Sequence, residues 1–262
     1  SGSHAQQTAT VMYRLEPLLQ AIRPACVIVY GDVNSTVAAA LTATKLNIPV
    51  AHVEAGLRSR DRSMPEEINR ILTDHCADLL FAPSSDAVEN LVAEGIQSES
   101  ISLVGNIMID SLLATLPRAR QERVPQSFGF GEREYAVVTL HRPSNVDDAP
   151  RLSKILDALN SVAGLLPTVF PVHPRTKKNI GRMSPAGTGS ALRLTEPLGY
   201  VKMLSLMSGA RLVITDSGGV QEETTFLGIP CLTVRESTER PITCEPGTNR
   251  LVPDPANLVP EV

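Results

Sequence analysis

The sequence predicts an α/β protein built from two doubly wound, Rossmann-like domains. Three observations carry that expectation. Short β-branched runs alternate with helical patterns along the chain, as strand–helix–strand units require. Most of the runs are near-continuously apolar, which suits parallel strands covered on both faces. The apolar periodicity is lost over 116–133 (LPRARQERVPQSFGFGER), a stretch rich in Pro, Arg, Gln and Gly. The expected organisation is a first domain over 1–116, a linker over 117–133 and a second domain over 134–262.

In chain order, the first block holds candidate strands Val27–Tyr30, Val50–Val53, Leu79–Ala82 and Ser102–Val104. Helical patterns at Ser35–Lys45, Pro65–His75 and Ser85–Glu94 separate them. Pro65 suits a first helical position, because its missing N–H would have no intrahelical partner there. The second block holds strands Ala136–Leu140, Thr168–Pro171, Leu192–Thr195, Arg211–Thr215 and Cys231–Val234. Its helical patterns are Pro150–Leu166, Val201–Ser208 and Gln221–Leu227. With no Trp and 3% aromatic residues, the core must be built from Val, Ile, Leu and Ala.

Composition excludes several function classes. At 42% hydrophobic and 20% charged residues the chain can bury a core and is not disordered. Lys and Arg number 24 and Asp and Glu 28, a net charge of −4. That balance argues against a general nucleic-acid or membrane-surface binder. No run approaches the roughly 18 to 20 apolar residues of a membrane span. The opening SGSHAQQTATVMYRLEPLL lacks the pattern of a signal peptide, so a cytoplasmic protein is expected. Cys26, Cys76, Cys231 and Cys244 form no CxxC pair, and the histidines form no HExxH or HxH, so no metal site is expected. Gly129-Phe-Gly131 does not complete GxGxxG, since position 134 is Glu and the pair precedes a strand.

In such folds ligands bind at the carboxyl ends of strands. After VIVY comes Gly31-Asp32-Val33-Asn34-Ser35, a polar turn opening a helix, where a cap explains Asp32 or Ser35 as well as a ligand role does. After VAHV comes Glu54, a carboxylate directly behind a buried run that needs a partner or a ligand. Glu66 and Glu67 follow Pro65, where the helix dipole alone would accommodate them. Asp32, Glu54 and Glu66 thus converge on one strand edge and suit proton abstraction and return. His141 and Arg142 follow AVVTL, and His173 and Arg175 occupy a similar position that a plain loop explains equally well. The strongest local signal is Thr215-Asp216-Ser217-Gly218-Gly219-Val220-Gln221-Glu222-Glu223, a strand entering a Ser-Gly-Gly turn and a helix. Its amides suit a diphosphate, and one of the two glutamates suits ribose hydroxyls. Arg235 and Arg240 in RESTERP supply cations, though surface ion pairing would also account for them.

Seven motifs in order, GDVNST, HVEAGLRS, MPEEINR, VGNIMID, TLHRPSN, TDSGGVQEE and RESTERP with a later GT, closely resemble the non-hydrolysing UDP-N-acetylglucosamine 2-epimerases. The resemblance implies a GT-B-like architecture with the active site in the interdomain cleft, and no redox cofactor. It implies interconversion of UDP-GlcNAc and UDP-ManNAc for ManNAc-type surface polysaccharides. UDP would leave C1 as a base removes the C2 proton, giving a 2-acetamidoglucal, and would re-add as the proton returns on the opposite face. Asp32, Glu54 and Glu66 match the family's proton-handling acids, and His141 the histidine beside the diphosphate. Ser217, Gly218 and Gly219 match its phosphate-contacting turn, Glu223 its ribose carboxylate and Arg240 an arginine of the UDP site. Arg70 and Arg142, within matching motifs, are expected to bind substrate as well. A UDP-sugar partner and a homodimer follow from the same resemblance, without nucleic acid or membrane.

The chain departs from the family pattern in opening without Met, and without a first strand and its Gly-Thr-Arg-Pro-Glu loop. The family's last helix would also be cut short after Val262. The chain therefore reads as a fragment whose first half folds poorly and exposes the apolar faces of Val27–Tyr30 and Val50–Val53. Alternative readings are a hydrolysing epimerase, a GT-B glycosyltransferase, and a nucleotide-sugar-binding remnant without catalysis.

Overall fold

Apolar runs at 27–30, 50–53 and 79–82 pair side by side as parallel strands and set the architecture of the first half. The computed structural model describes residues 2–181, 191–245 and 247–262. It divides into two compact units, Ser1–Ile107 and Met108–Val262.

The first unit runs α1 (His4–Ile22), β1 (Val27–Tyr30), α2 (Asn34–Lys45), β2 (Val50–Val53), α3 (Pro65–Cys76), β3 (Leu79–Ala82), α4 (Ser85–Ala93) and β4 (Ile101–Leu103). Its sheet is parallel, in the order β1-β2-β3-β4. A capping box starts α1: Ser3 Oγ accepts from the Gln6 N–H while Gln6 Oε1 accepts from the Ser3 N–H. Leu19, Val29, Ala40, Ala43 and Val50 form one buried cluster, and Ala55, Leu57, Leu80, Ala82, Ala87 and Leu91 another. The expected exposure of Val50–Val53 does not occur, because β2 lies between β1 and β3 and its first three residues are buried. On the outermost β1, Ile28 and Tyr30 are each 56% exposed.

The second unit begins within α5 (Ile107–Gln121) and continues through α6 (Val124–Ser127), β5 (Ala136–Thr139), α7 (Pro143–Val146), α8 (Ala149–Leu165), β6 (Thr168–Pro171) and α9 (Pro174–Ile180). Then follow β7 (Leu192–Thr195), α10 (Tyr200–Ser208), β8 (Leu212–Thr215), α11 (Gly218–Leu227), β9 (Cys231–Thr233) and β10 (Asn249–Leu251). Its parallel strands lie in the order β10-β9-β8-β5-β6-β7. The chain winds outward from β5 through β6 to β7, then returns to the other side of β5 with β8. Between β5 and β8 the winding reverses, the place where open α/β sheets form a crevice at their strand ends.

The stretch 117–133 does not behave as the expected linker. Leu112, Ala119, Val124 and Phe130 are buried in one cluster with Tyr135, Val137 and Met207 of the second unit. The Phe130 and Tyr135 rings stack at 5.0 Å. Arginines on the outward side of α5 mask the i, i+4, i+7 spacing of Leu112, Leu116 and Ala119. The division between the units falls earlier, at Ile107/Met108.

Candidate active site

In the first unit, the turns leaving β1 and β2 bring two of the expected carboxylates together. Gly31 follows β1 with φ +62 and leads into Asp32. Glu54 follows β2 with φ 75, a left-handed backbone that costs a residue with a side chain about 1 kcal/mol or more. The N–H groups of Glu54 and Ala55 both donate to the Phe81 carbonyl at 3.1 Å, which holds that conformation. A Cβ on Gly31 would stand 3.5 Å from Glu54 Oε2, so the Glu54 carboxylate lies over the turn that presents Asp32.

Helix α3 supplies the supports. Arg70 Nη2 donates to Asp32 Oδ2 at 2.7 Å, and Asn69 Nδ2 donates to the Asp32 carbonyl at 2.8 Å. The neighbouring glutamates differ in surroundings. Glu67 is buried and accepts from Ser59 N, Ser59 Oγ, Arg60 N and Arg70 Nη1 at 2.7–3.0 Å. Burial alone would raise its carboxyl, but these donors hold it below the ordinary value. Glu66 instead lines a groove of about 810 Å³ with His4, Asn34, Ser35 and Asn69. Arg70, expected to touch substrate, is 3% exposed with its guanidinium turned to Asp32 and Glu67. The structure thus gives it a holding role on Asp32.

In the second unit the switch point gathers His141, Arg142 and the Ser-Gly-Gly turn. Asp216, fully buried, follows β8 and accepts from the N–H of His141, the N–H of Arg142 at 2.9 Å and Asn145 Nδ2 at 3.1 Å. The His141 ring also sets Nδ1 3.0 Å from Asp216 Oδ1 and leaves its remaining edge toward solvent, 45% exposed. Burial pushes the Asp216 carboxyl up, but His141 and the other donors outweigh it and hold the carboxyl below its usual range. His173 lies nearby, its ring centroid 6.2 Å from that of His141. The Arg175 side chain lies outside the described residues.

Helix α11 starts at Gly218, earlier than its apolar periodicity suggests, so the two glycines are its first residues. Their N–H groups belong to the first turn, which has no intrahelical acceptors, and Ser217 makes no side-chain cap bond. A Cβ on Gly218 would stand 2.5 Å from both Arg240 Nη1 and Glu239 Oε1. Around that point Glu239 takes Arg240 Nη1 at 2.6 Å and Arg235 Nη2 at 2.8 Å, with Arg142 Nη2 at 3.8 Å. Burial opposes its charge, but Arg240 and Arg235 bring the Glu239 carboxyl down to about 2. Glu222 pairs with Arg240 Nε at 2.6 Å. The unpaired first-turn amides of α11, with the Arg235 and Arg240 guanidiniums beside them, suit an anionic ligand.

Glu223 is buried, and Tyr200 donates its hydroxyl to Glu223 Oε1 at 2.9 Å. Burial raises the Glu223 carboxyl, Glu222 adds to that, and the Tyr200 hydrogen bond only partly offsets it. Among the described residues no group of three or more His, Cys, Asp or Glu could hold a metal ion. No helix among them is long and apolar enough to cross a membrane.

Sequence reasoning did not single out Asp216, Asn145, Glu239 or Tyr200. Asp216 carried a usable signal, an acid directly behind the apolar run LVIT, comparable to Glu54 behind VAHV. Asn145 closes the TLHRPSN motif, although its partner lies 71 residues away, and Tyr200, whose partner is 23 residues away, carried no signal.

The profile of the UDP-N-acetylglucosamine 2-epimerase family matches residues 1–262. An enzyme of that description from Methanocaldococcus jannaschii is 43% identical over 97% of this chain and 72% of its own. A UDP-2,3-diacetamido-2,3-dideoxy-D-glucuronate 2-epimerase from Pseudomonas aeruginosa is 42% identical over 99% of this chain and 72% of its own. The crystal structure of the M. jannaschii enzyme in complex with UDP-GlcNAc and UDP superposes with a TM-score of 0.90, covering 99% of this chain and 74% of that one. The Neisseria meningitidis enzyme bound to UDP-GlcNAc, 32% identical, also gives 0.90, over 99% of this chain and 73% of its own. With its sheets and turns as described, the fold is GT-B-like, and the chain belongs to the UDP-N-acetylglucosamine 2-epimerase family.

Proposed function

We propose that the protein interconverts UDP-GlcNAc and UDP-ManNAc by elimination and re-addition of UDP. The observation that carries this reading is at the second sheet's switch point. There His141, held by Asp216, stands with the free first-turn amides of α11 and the Arg240 cluster. In this reading Ser217, Gly218, Gly219, Arg142 and Arg240 hold the diphosphate, and Glu223 accepts from the ribose hydroxyls. One of Asp32, Glu54 and Glu66 takes the C2 proton as the C1–O bond breaks. The C–H electron pair becomes the C1=C2 bond of a 2-acetamidoglucal, and UDP departs with the C1–O pair. His141 stabilises the leaving oxygen. In the return step a proton is delivered to the opposite face of C2 while UDP oxygen bonds to C1. Arg70 acts by holding Asp32. Family resemblance extends the reading to a cytoplasmic homodimer that supplies ManNAc-type precursors of surface polysaccharides.

Incubation with UDP-GlcNAc in D2O tests the reading by proton NMR. The expected result is UDP-ManNAc with deuterium at C2, and loss of the C2 proton from the recovered substrate. Accumulation of free ManNAc and UDP would make the enzyme hydrolysing, and no exchange at all would remove the epimerase assignment. The P. aeruginosa relative favours a second substrate, the 2,3-diacetamido glucuronate. Faster exchange on that sugar than on UDP-GlcNAc would move the assignment to it.

A further inference from the structure

Two of the acids of that reading, Asp32 and Glu54, stand on turns that a buried imidazole–carboxylate pair joins to α3. His52 is the third residue of β2, and both it and Asp74 of α3 are essentially inaccessible to solvent. The two ring nitrogens of His52 face two oxygens. Nε2 lies 2.9 Å from the carbonyl of Gly31, and Nδ1 lies 2.6 Å from Asp74 Oδ1. A carbonyl oxygen can only accept, so Nε2 carries a hydrogen and donates it to Gly31. On the other edge of the ring, Nδ1 is within hydrogen-bonding distance of Asp74 Oδ1, so the imidazole bridges the turn to α3.

The other oxygen of Asp74 is equally committed. Asp74 Oδ2 accepts from the Gly56 N–H at 3.1 Å and faces Arg58 Nη1 at 2.8 Å. Arg58 in turn donates from Nε and Nη2 to the two oxygens of Glu94, at 2.7 and 2.6 Å. One side chain of α3 is therefore joined to both carboxylate-bearing turns. It reaches the Gly31–Asp32 turn through His52 and the Glu54–Gly56 turn directly. The same helix carries Glu66, Asn69 and Arg70. Side chains at Gly31 and Gly56 are not free to vary either. A Cβ on Gly56 would run into the Ala87 carbonyl, and Gly31 has φ +62.

Resting on the functional reading above, we propose that His52 and Asp74 are positioning residues. They fasten the Gly31–Asp32 and Glu54–Gly56 turns to α3, so that Asp32, Glu54 and Glu66 keep one mutual arrangement. Neither touches substrate; both act through backbone groups beside the acids. Preorganisation of this kind contributes to kcat rather than to ground-state binding.

Two substitutions at one position separate this role from general stability. In His52→Gln the side-chain amide reaches about as far as Nε2 and can still donate to Gly31. In His52→Asn the shorter amide reaches only as far as Nδ1, so it keeps the Asp74 side and loses Gly31. The expected result is a fall in kcat for C2–H exchange of about tenfold or more in His52→Asn, with KM within about threefold. His52→Gln should keep kcat within about threefold of the parent. Equal losses in both variants, or a change confined to KM, would overturn the proposal. Two readouts are independent of turnover. A slowly exchanging Nε2–H resonance of His52 should appear in the imidazole region of the parent's spectrum, and its absence also overturns the proposal. The backbone amides of 31–37 should exchange faster in His52→Asn than in His52→Gln. If the parent turns over no UDP-sugar, the functional reading fails by itself and these amide rates decide the positioning role.

Discussion

His141 Nδ1 stands 3.0 Å from Asp216 Oδ1, and the same carboxylate accepts the backbone N–H of His141 at 3.1 Å. One buried acid therefore fixes both the backbone and the ring of the residue that the proposed function places against the leaving group. Asp216→Asn keeps the shape but cannot accept equally from all these donors. The expected outcome is a drop in kcat of about a hundredfold, by analogy with orienting acids behind catalytic histidines, with UDP affinity changed much less. Steady-state kinetics beside UDP calorimetry checks it. The Asp216 carboxyl is lowered in the folded protein. Its contribution to stability is thus full above the unfolded value and is lost as pH falls toward the lowered one. The variant's unfolding free energy should fall less steeply than the parent's through that acidic window.

Glu54 holds φ 75 directly behind β2. If Glu54 is one of the proton-handling acids of the proposed function, its strained backbone predicts that stability and activity respond in opposite senses. Glu54→Gly relieves the left-handed penalty and should leave stability unchanged or raise it by about 1 kcal/mol in urea unfolding. C2–H exchange in the same variant should fall by about a hundredfold or more. A variant destabilised by several kcal/mol would mean that the Glu54 side chain serves folding.

The same residues show what could be read in advance. Strands such as Thr168–Pro171 and Leu212–Thr215 were legible because parallel strands buried on both sides are apolar without interruption. β10, Asn249–Leu251, was not, since its three residues include an exposed Arg and an Asn committed to side-chain hydrogen bonds. The acids Glu54 and Glu66 and the turn at Gly218 were visible because each follows a strand or opens a helix. Helix position alone does not separate Glu66 from Glu67; the family motif pointed to Glu66, and the physical reason is that Ser59 and Arg60 fold back over α3 to take Glu67. His52 opens the HVEAGLRS motif, but its pairing with Asp74 was hidden, as contacts 22 residues apart leave no local pattern.

The two glycines of the α11 turn should differ in tolerance. A Cβ on Gly218 would stand 2.5 Å from a guanidinium nitrogen and a carboxylate oxygen that pair with each other. A Cβ on Gly219 would meet, at 2.6 Å, the terminal methyl of Met108, which can swing aside. Gly218→Ala should therefore weaken UDP binding by about tenfold or more and lower stability by about 1–3 kcal/mol. Gly219→Ala should keep stability within about 1 kcal/mol. Calorimetric titration with UDP and urea unfolding of the two variants check the contrast. Equal effects would show that the Arg240–Glu239 pair is free to move.

Burial, reinforced by Glu222, raises the Glu223 carboxyl, and Tyr200 is the hydroxyl that opposes the rise. A carboxyl raised in the folded state binds its proton more tightly there than in the unfolded chain. Its contribution to stability is full below the unfolded value and is lost as pH rises through the raised one. Where Glu223 is ionised it is thus a burden on stability, kept in this reading because an anionic oxygen accepts more strongly from ribose hydroxyls. Glu223→Gln should unfold at a higher temperature than the parent at pH 7, with UDP affinity reduced by about tenfold. Tyr200→Phe removes the hydrogen bond that favours ionisation, so the Glu223 carboxyl rises further. UDP affinity in that variant should begin to fall at a higher pH than in the parent as the solution is acidified. Calorimetric titrations across the range from pH 5 to pH 8 check the shift, and an acid limb that stays in place would separate Tyr200 from Glu223.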